Sequence, residues 1–171
     1  IALTDDEQDG IRQDILIVNN TVYSNGHAGG WGGRIVIQSQ HPGNSNFVVR
    51  NNISSMNRSW QIARILTNNL MVDHNLIHGD NTWEDPPRES GTNGVDAVIS
   101  VANFDDPLSG NLHILSSSPA VDAGNPLDSP ITDKDGRARP EEGNGDGTVV
   151  VDIGAYEYFR PYLDEVQGRP E

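Results

Sequence analysis

The chain has 171 residues, 25 acidic against 11 basic, a net charge of −14 and no cysteine. That length suits one domain with a real core, the charge sets phosphate backbones aside as partners, and the missing cysteine excludes disulfides, thiolate metal sites and a cysteine nucleophile. No apolar run of about 18 residues is present to span a membrane, and the chain opens on Ile1 rather than Met, as expected of a processed or excised piece whose targeting segment has gone.

Taken in chain order, the apolar runs are short and β-branched. Ile15–Val22 is followed by Arg34–Ile37, Phe47–Ser54, Trp60–Ile65, Leu70–Ile77 and Val95–Val101. None shows the i, i+3, i+4, i+7 stripe of an amphipathic helix, so helix is a minor component. Three of the runs align on one pattern, a β-branched stretch, a polar pair ending in Asn, and apolar residues again. Their asparagines are Asn20, Asn52 and Asn75.

Short strands recurring at intervals of about 20–35 residues suit a solenoid of parallel strands. Equivalent residues in such a coil lie about 4.8 Å apart, close enough for like amides to hydrogen-bond along the stack. An inward asparagine at a sharp corner would also tolerate a left-handed backbone there. The bland alternative is that each Asn pair marks an ordinary turn of a β-sandwich. The apolar residues aligned on both sides of the asparagines favour the solenoid. Loops at 24–33, 41–46 and 79–94 interrupt the period, and solenoid insertions often build a binding face.

From about Gly110 the character changes. Asn111–Leu115 reads as a last strand, followed by Ser118-Pro119-Ala120-Val121-Asp122-Ala123-Gly124, then Asp133-Lys134-Asp135-Gly136-Arg137-Ala138-Arg139, then Val151-Asp152-Ile153-Gly154-Ala155-Tyr156-Glu157-Tyr158. This ordered set resembles the C-terminal end of bacterial extracellular right-handed parallel β-helix proteins of the pectate-lyase-like superfamily. The tail resemblance covers roughly 110–158, and the Asn-rich coils extend it to about residue 14. It implies an all-β, right-handed parallel β-helix of about three to four coils over 1–115, with 116–171 as a C-terminal β-rich capping region of the same domain. It also implies an extracellular or cell-surface location. The superfamily holds lyases, hydrolases, adhesins and repeat-built surface proteins, so the architecture does not choose among them. The first coil is expected to present an open parallel edge, because Ile1–Gly10 is too acidic and polar to pack well over it, and an open edge invites stacking.

Candidate chemistry is sparse. Asp133, Asp135, Asn144, Asp146 and Asp152 are the candidate ligands for Ca²⁺, since Glu142–Gly147 alternates oxygen donors with glycine as tight calcium loops do. The same residues also read as two plain turns joined by a short hairpin. His74 and His78 face one side of a strand about 13 Å apart, too far to share a metal. Trp31, Trp83 and Tyr23 are candidate sugar-stacking rings, whereas Trp60 reads as packing. The family's lyases generally use a basic Arg or Lys with Ca²⁺, which by resemblance leaves Arg34, Arg50 or Arg64. A hydrolase needs two carboxylates about 5–9.5 Å apart, for which Asp73 and Asp96 are weak candidates. The expectation is therefore a non-catalytic surface or matrix module, self-stacking through its open coil edge on copies of itself or on upstream coils of a longer chain. The alternative is the C-terminal part of a polysaccharide lyase or glycoside hydrolase. Polysaccharide is a candidate partner, and nucleic acid is not.

Overall fold

The computed structural model describes residues 1–4, 10–26, 34–58, 60–65, 69–79, 89–91 and 94–160. Among them there is no helix. The strands in chain order are β1 (Ala2–Leu3), β2 (Gln13–Val18), β3 (Thr21–Tyr23), β4 (Ile35–Gln38), β5 (Ser45–Arg50), β6 (Ile53–Ser55), β7 (Ile62–Ile65), β8 (Leu70–Asp73), β9 (Leu76–His78), β10 (Glu89–Gly91), β11 (Val98–Ile99), β12 (Phe104–Asp106) and β13 (Asn111–Ile114).

They stack as β2-β5-β8, β3-β6-β9-β11 and β1-β4-β7-β10, with β12 and β13 forming a separate antiparallel pair. Every neighbour in the first two sheets is parallel, as are β1-β4 and β4-β7. Consecutive strands visit the three sheets in turn and each returns to pair with the strand one turn back, the arrangement of a parallel β-helix. The register puts Ile15 beside Phe47 and Leu70, and Ile17 beside Val49 and Val72. These rows face inward and meet Ile35, Ile37 and Ile62 from the third sheet in one core. Burial of each such side chain is worth roughly 1.5–3 kcal/mol against an exposed reference. Leu16 and Met71, in the alternate row, point outward and are exposed.

The strands are short because the chain turns sharply at fixed places. Left-handed φ values recur at Asp14, Asn46 and Asn69, at Asn19, Asn51, His74 and Asp96, and at Ser24, Met56 and Gly79. Each set is one corner column of the stack. The asparagine expected to adopt the left-handed backbone is therefore displaced by one position. Asn19 and Asn51 make the corner, while the inward residues Asn20, Asn52 and Asn75 follow it in ordinary conformation. The reason is division of labour at the corner: one residue supplies the positive φ, and its neighbour's amide satisfies the backbone that the turn exposes.

Other departures from the sequence reading are local. Ala2 and Leu3, in the segment judged too polar to pack, pair in register with Val36 and Ile37. Part of the stretch read as an excursion loop forms β10, which pairs antiparallel with β7. Asn111–Ile114 is a strand, but its partner is β12 in a bulged antiparallel pair.

The C-terminal segment packs along the side of the second sheet. A second core joins Ile53 and Leu76, on successive turns, to Ala102, Ile114, Ala120 and Ile153. Gly154 N–H donates to Asn51 O at 2.8 Å, and Ala155 N–H donates to Thr21 Oγ1 at 3.0 Å. The tail thus fastens neighbouring turns of the stack to one another.

Candidate functional site

The asparagines of the inward column form a directional ladder. Asn20 donates its backbone N–H and its Nδ2 to Asn52 Oδ1, both at 3.0 Å. Asn52 repeats the pattern on Asn75 Oδ1, at 2.9 and 3.0 Å. The spare Nδ2 hydrogens close the local turn, from Asn20 to Val18 O, from Asn52 to Arg50 O and from Asn75 to Asp73 O, each at 2.9 Å. A second column, missed from the sequence, does the same five residues on. Asn25 donates N–H and Nδ2 to Asn57 Oδ1, at 3.0 and 3.3 Å. Asn57 continues to Gln61 Oε1, at 3.1 and 2.7 Å. Its signal was present in the repeated Asn-x4-Asn spacing of 20/25 and 52/57.

Both ladders run out at the same end. Among the described residues no donor reaches Asn20 Oδ1 or Asn25 Oδ1. The strands there, β2 and β3, are, like β1, the last members of their sheets. No described strand lies over β2 or β3 on this side. Parallel strands alternate the direction of their amides. Phe47 N–H points onward to Asn69 O and Ile53 N–H points back to Asn20 O. Their register mates are Ile15 and Thr21, so the amides of Leu16, Val18, Thr21 and Tyr23 face the open side.

A groove of about 640 Å³ lies against the corner column lower down, lined by Arg64, Met71, Asp73, His74, Asp96 and Asn125 among others. Gly94 lets the chain pass close by: a Cβ there would collide with Val72 O. The charged groups are ordered by Arg50, which donates Nε and Nη2 to the two Asp73 oxygens at 2.6 and 2.7 Å and Nη1 to Asp128 Oδ2 at 2.8 Å. His74 Nδ1 lies 3.4 Å from Asp73 Oδ1, and its Nε2 lies 3.9 Å from Asp96 Oδ2. Burial on its own would push Asp73 up, but the Arg50 hydrogen bonds and charge, with His74, hold it below the usual carboxylate value. Asp73 hydrogen bonding in turn raises Arg50. Asp73 therefore stays ionised as the counterion of a guanidinium, a poor state for a general acid. Arg50, spoken for by two carboxylates, is equally ill placed as a lyase base. Arg34 is buried, whereas Arg64 is exposed at the rim of the groove.

A third polar group clips the tail to the coil. Arg139 donates Nη1 to Asp152 O at 3.3 Å and Nη2 to Gly154 O at 2.9 Å. Asn19 Nδ2 reaches the same two carbonyls from the coil, at 3.1 and 3.3 Å. Glu157 receives Asp152 N–H and lies 3.6 Å from Arg139 Nη1. Burial, reinforced for Glu157 by the neighbouring Asp152 charge, pushes Asp152 up to about 6 and Glu157 up to about 8. Burial likewise lowers Arg139.

The five candidate calcium ligands do not converge on one point. Asp133 accepts the amides of Asp135 and Arg137 on Oδ1 and that of Glu157 on Oδ2. Asp152 accepts the amides of Asp122 and Tyr158. Asp135 pairs with His113 Nε2 at 2.7 Å. Asn144 and Asp146 hold their own exposed turn, Asp146 Oδ1 taking Thr148 N–H at 2.7 Å. No group of three or more His, Asp or Glu side chains able to hold a metal ion exists among the described residues. Of the three candidate sugar-stacking rings, Trp31 and Trp83 lie outside the described residues. Tyr23 is half-buried and meets Phe104 edge-on, with ring centres 5.3 Å apart. Trp60 packs on Val36 and Ala63.

Comparison with protein-family models, curated proteins and solved structures finds no match to this chain.

Proposed function

We propose that this chain is a non-catalytic extracellular surface or matrix module, a right-handed parallel β-helix of three to four coils that assembles by seating a further β-coil on its open edge. The observation that carries the reading is the edge at β2 and β3, the terminal strands of two parallel sheets, which no described strand covers. Natural sheets cover, charge or bulge such edges, because bare strand amides pair with whatever strand arrives. The four outward amides and two unfilled amide oxygens described above make this edge regular rather than blunted. The right hand is the one taken by nearly all parallel crossovers.

The enzymatic alternative, the C-terminal part of a polysaccharide lyase or glycoside hydrolase, finds its best residues in the groove with Asp73, His74 and Asp96. The commitment of Asp73 to Arg50 counts against it. The test has two arms. Incubation with acidic and neutral polysaccharides is expected to release neither unsaturated uronides nor new reducing ends, and release of either contradicts the non-catalytic reading. Sedimentation velocity is expected to show reversible, concentration-dependent association that Ile15→Lys, an inward charge on β2, abolishes while circular dichroism stays unchanged. Association that survives Ile15→Lys contradicts the edge as the contact, and a strictly monomeric wild type contradicts self-stacking.

A further inference from the structure

Resting on that reading of the edge, we infer that its preferred partner is a parallel β-coil carrying two asparagines spaced Asn-x4-Asn, which dock as donors on Asn20 Oδ1 and Asn25 Oδ1. The inference follows from the polarity of the two ladders. In every rung the amide nearer the N-terminal end gives its N–H and Nδ2, and the next amide receives both on one oxygen. What stands unfilled at the edge is thus a pair of acceptors. A coil without side-chain donors can make only the backbone half of each rung, whereas an asparagine at each place makes both halves.

The chain's own opposite end does not offer this. The position after the corner residue Asp96, equivalent to Asn75, is Ala97, so the inward ladder stops there. Beyond it the third sheet ends on antiparallel β10, and the antiparallel β12-β13 pair follows. Two open ends meeting head to head would oppose acceptor to acceptor. A copy of this chain pairs at the edge through backbone groups alone, and a coil bearing Asn-x4-Asn pairs through backbone and amides together.

The required partner has a template within the chain. Residues 45–57 hold β5, the left-handed corner at Asn51, Asn52, β6 and Asn57. The register also fixes where such a coil must end. Ala2 stands beside Val36, which stands beside Ala63, so Ile1 occupies the level position of Ile62. The terminal amine of Ile1 already donates to Arg34 O at 3.0 Å, as the Ile35 amide donates to Gln61 O. A copy of residues 45–61 joined directly to Ile1 therefore reproduces native connectivity and lays its two strands over β2 and β3.

The experiment uses the whole chain with and without that added coil. The added coil is expected to raise the thermal midpoint by several degrees. The gain is expected to vanish when the added copies of Asn52 and Asn57 are both alanine. A second comparison separates pairing from the folding of the altered coil by removing the acceptors instead: in the Asn20→Ala/Asn25→Ala host, the intact added coil is expected to give less than half the gain it gives the wild type. An equal gain with and without the amides, on either side, overturns the amide pairing while leaving the open edge standing. No gain from any added coil, with exchange of the β2 and β3 amides unchanged, overturns both.

Discussion

Asn52 Oδ1 takes two hydrogen bonds from Asn20, one from the backbone N–H and one from Nδ2, each 3.0 Å long. Asn52 is wholly buried, and its own Nδ2 reaches back two residues to Arg50 O and across to Ile17 O. One side chain therefore serves a corner of its own turn and the backbone of the turn before it. Repeated on Asn75, this makes the column a fastener between turns and gives the stack a donor end and an acceptor end.

Removing the middle of the ladder should cost far more than removing its end. Asn52→Ala strips five hydrogen bonds and leaves buried carbonyls and an amide unpaired, for a loss of about 2–4 kcal/mol. Asn20→Ala, at a half-buried terminal rung, should lose about 1 kcal/mol. Chemical denaturation of the two variants checks the ranking, and equal losses would contradict a cooperative ladder.

The Arg50–Asp73 pair should behave as structure. Asp73→Ala strands a buried guanidinium with Asp128 as its remaining carboxylate and should cost about 3 kcal/mol. Asp96→Asn, which removes the charge at an exposed position on the same groove and keeps a residue suited to its left-handed backbone, should stay within about 0.5 kcal/mol. Unfolding midpoints in urea read both, and a neutral Asp73→Ala would show that the pair is not holding the corner.

Stability should fall as pH rises toward and past neutrality, against the usual carboxylate trend. Asp152 is raised to about 6 and Glu157 to about 8 by burial. In the unfolded chain both ionise near their ordinary values, so below those values the contribution is fully present. As pH climbs, the unfolded state releases its protons first, and stability declines until the folded values are passed. Glu157→Gln, which cannot ionise, should flatten the midpoint-versus-pH curve between about pH 5 and 8 relative to wild type. Asp73 runs the opposite way, because its folded value is lowered and its contribution is lost only as pH falls through the acid range, so it cancels in that comparison. Parallel curves for the two proteins would contradict a buried, proton-holding Glu157.

Chelation should leave the fold untouched. The oxygens of Asp133 and Asp152 are engaged by backbone amides, and those of Asp135 and Asp146 by His113 and Thr148. A thermal midpoint unchanged by chelator or by added calcium is expected from this bonding. A rise with calcium that chelator reverses would establish a cation in the tail loops.

How much of this the sequence disclosed depended on periodicity. The parallel stack was legible because inward Ile, Val and Phe recur beside an inward Asn, and the same register brings Ile17, Val49 and Val72 together. The left-handed corner was read one residue late, since Asn-Asn pairs give no local cue to which member turns the backbone. At His74 and Asp96 the corner residue is not Asn at all. The second ladder hid because its last rung is Gln61, whose longer side chain does an asparagine's work from a different place in the turn. Arg50 stood among the candidate lyase bases because its partners, Asp73 and Asp128, lie 23 and 78 residues away. Distances of that kind belong to the fold and to no local pattern.

The open edge is tested most directly by residue-resolved amide hydrogen exchange on the chain with and without the added copy of residues 45–61. The amides of Leu16, Val18, Thr21 and Tyr23 should exchange rapidly in the chain alone and become protected when the coil is present, while Ile17 and Val22, which already face the next turn, change little. Protection of those four amides in the chain alone, or no change on adding the coil, would contradict the account.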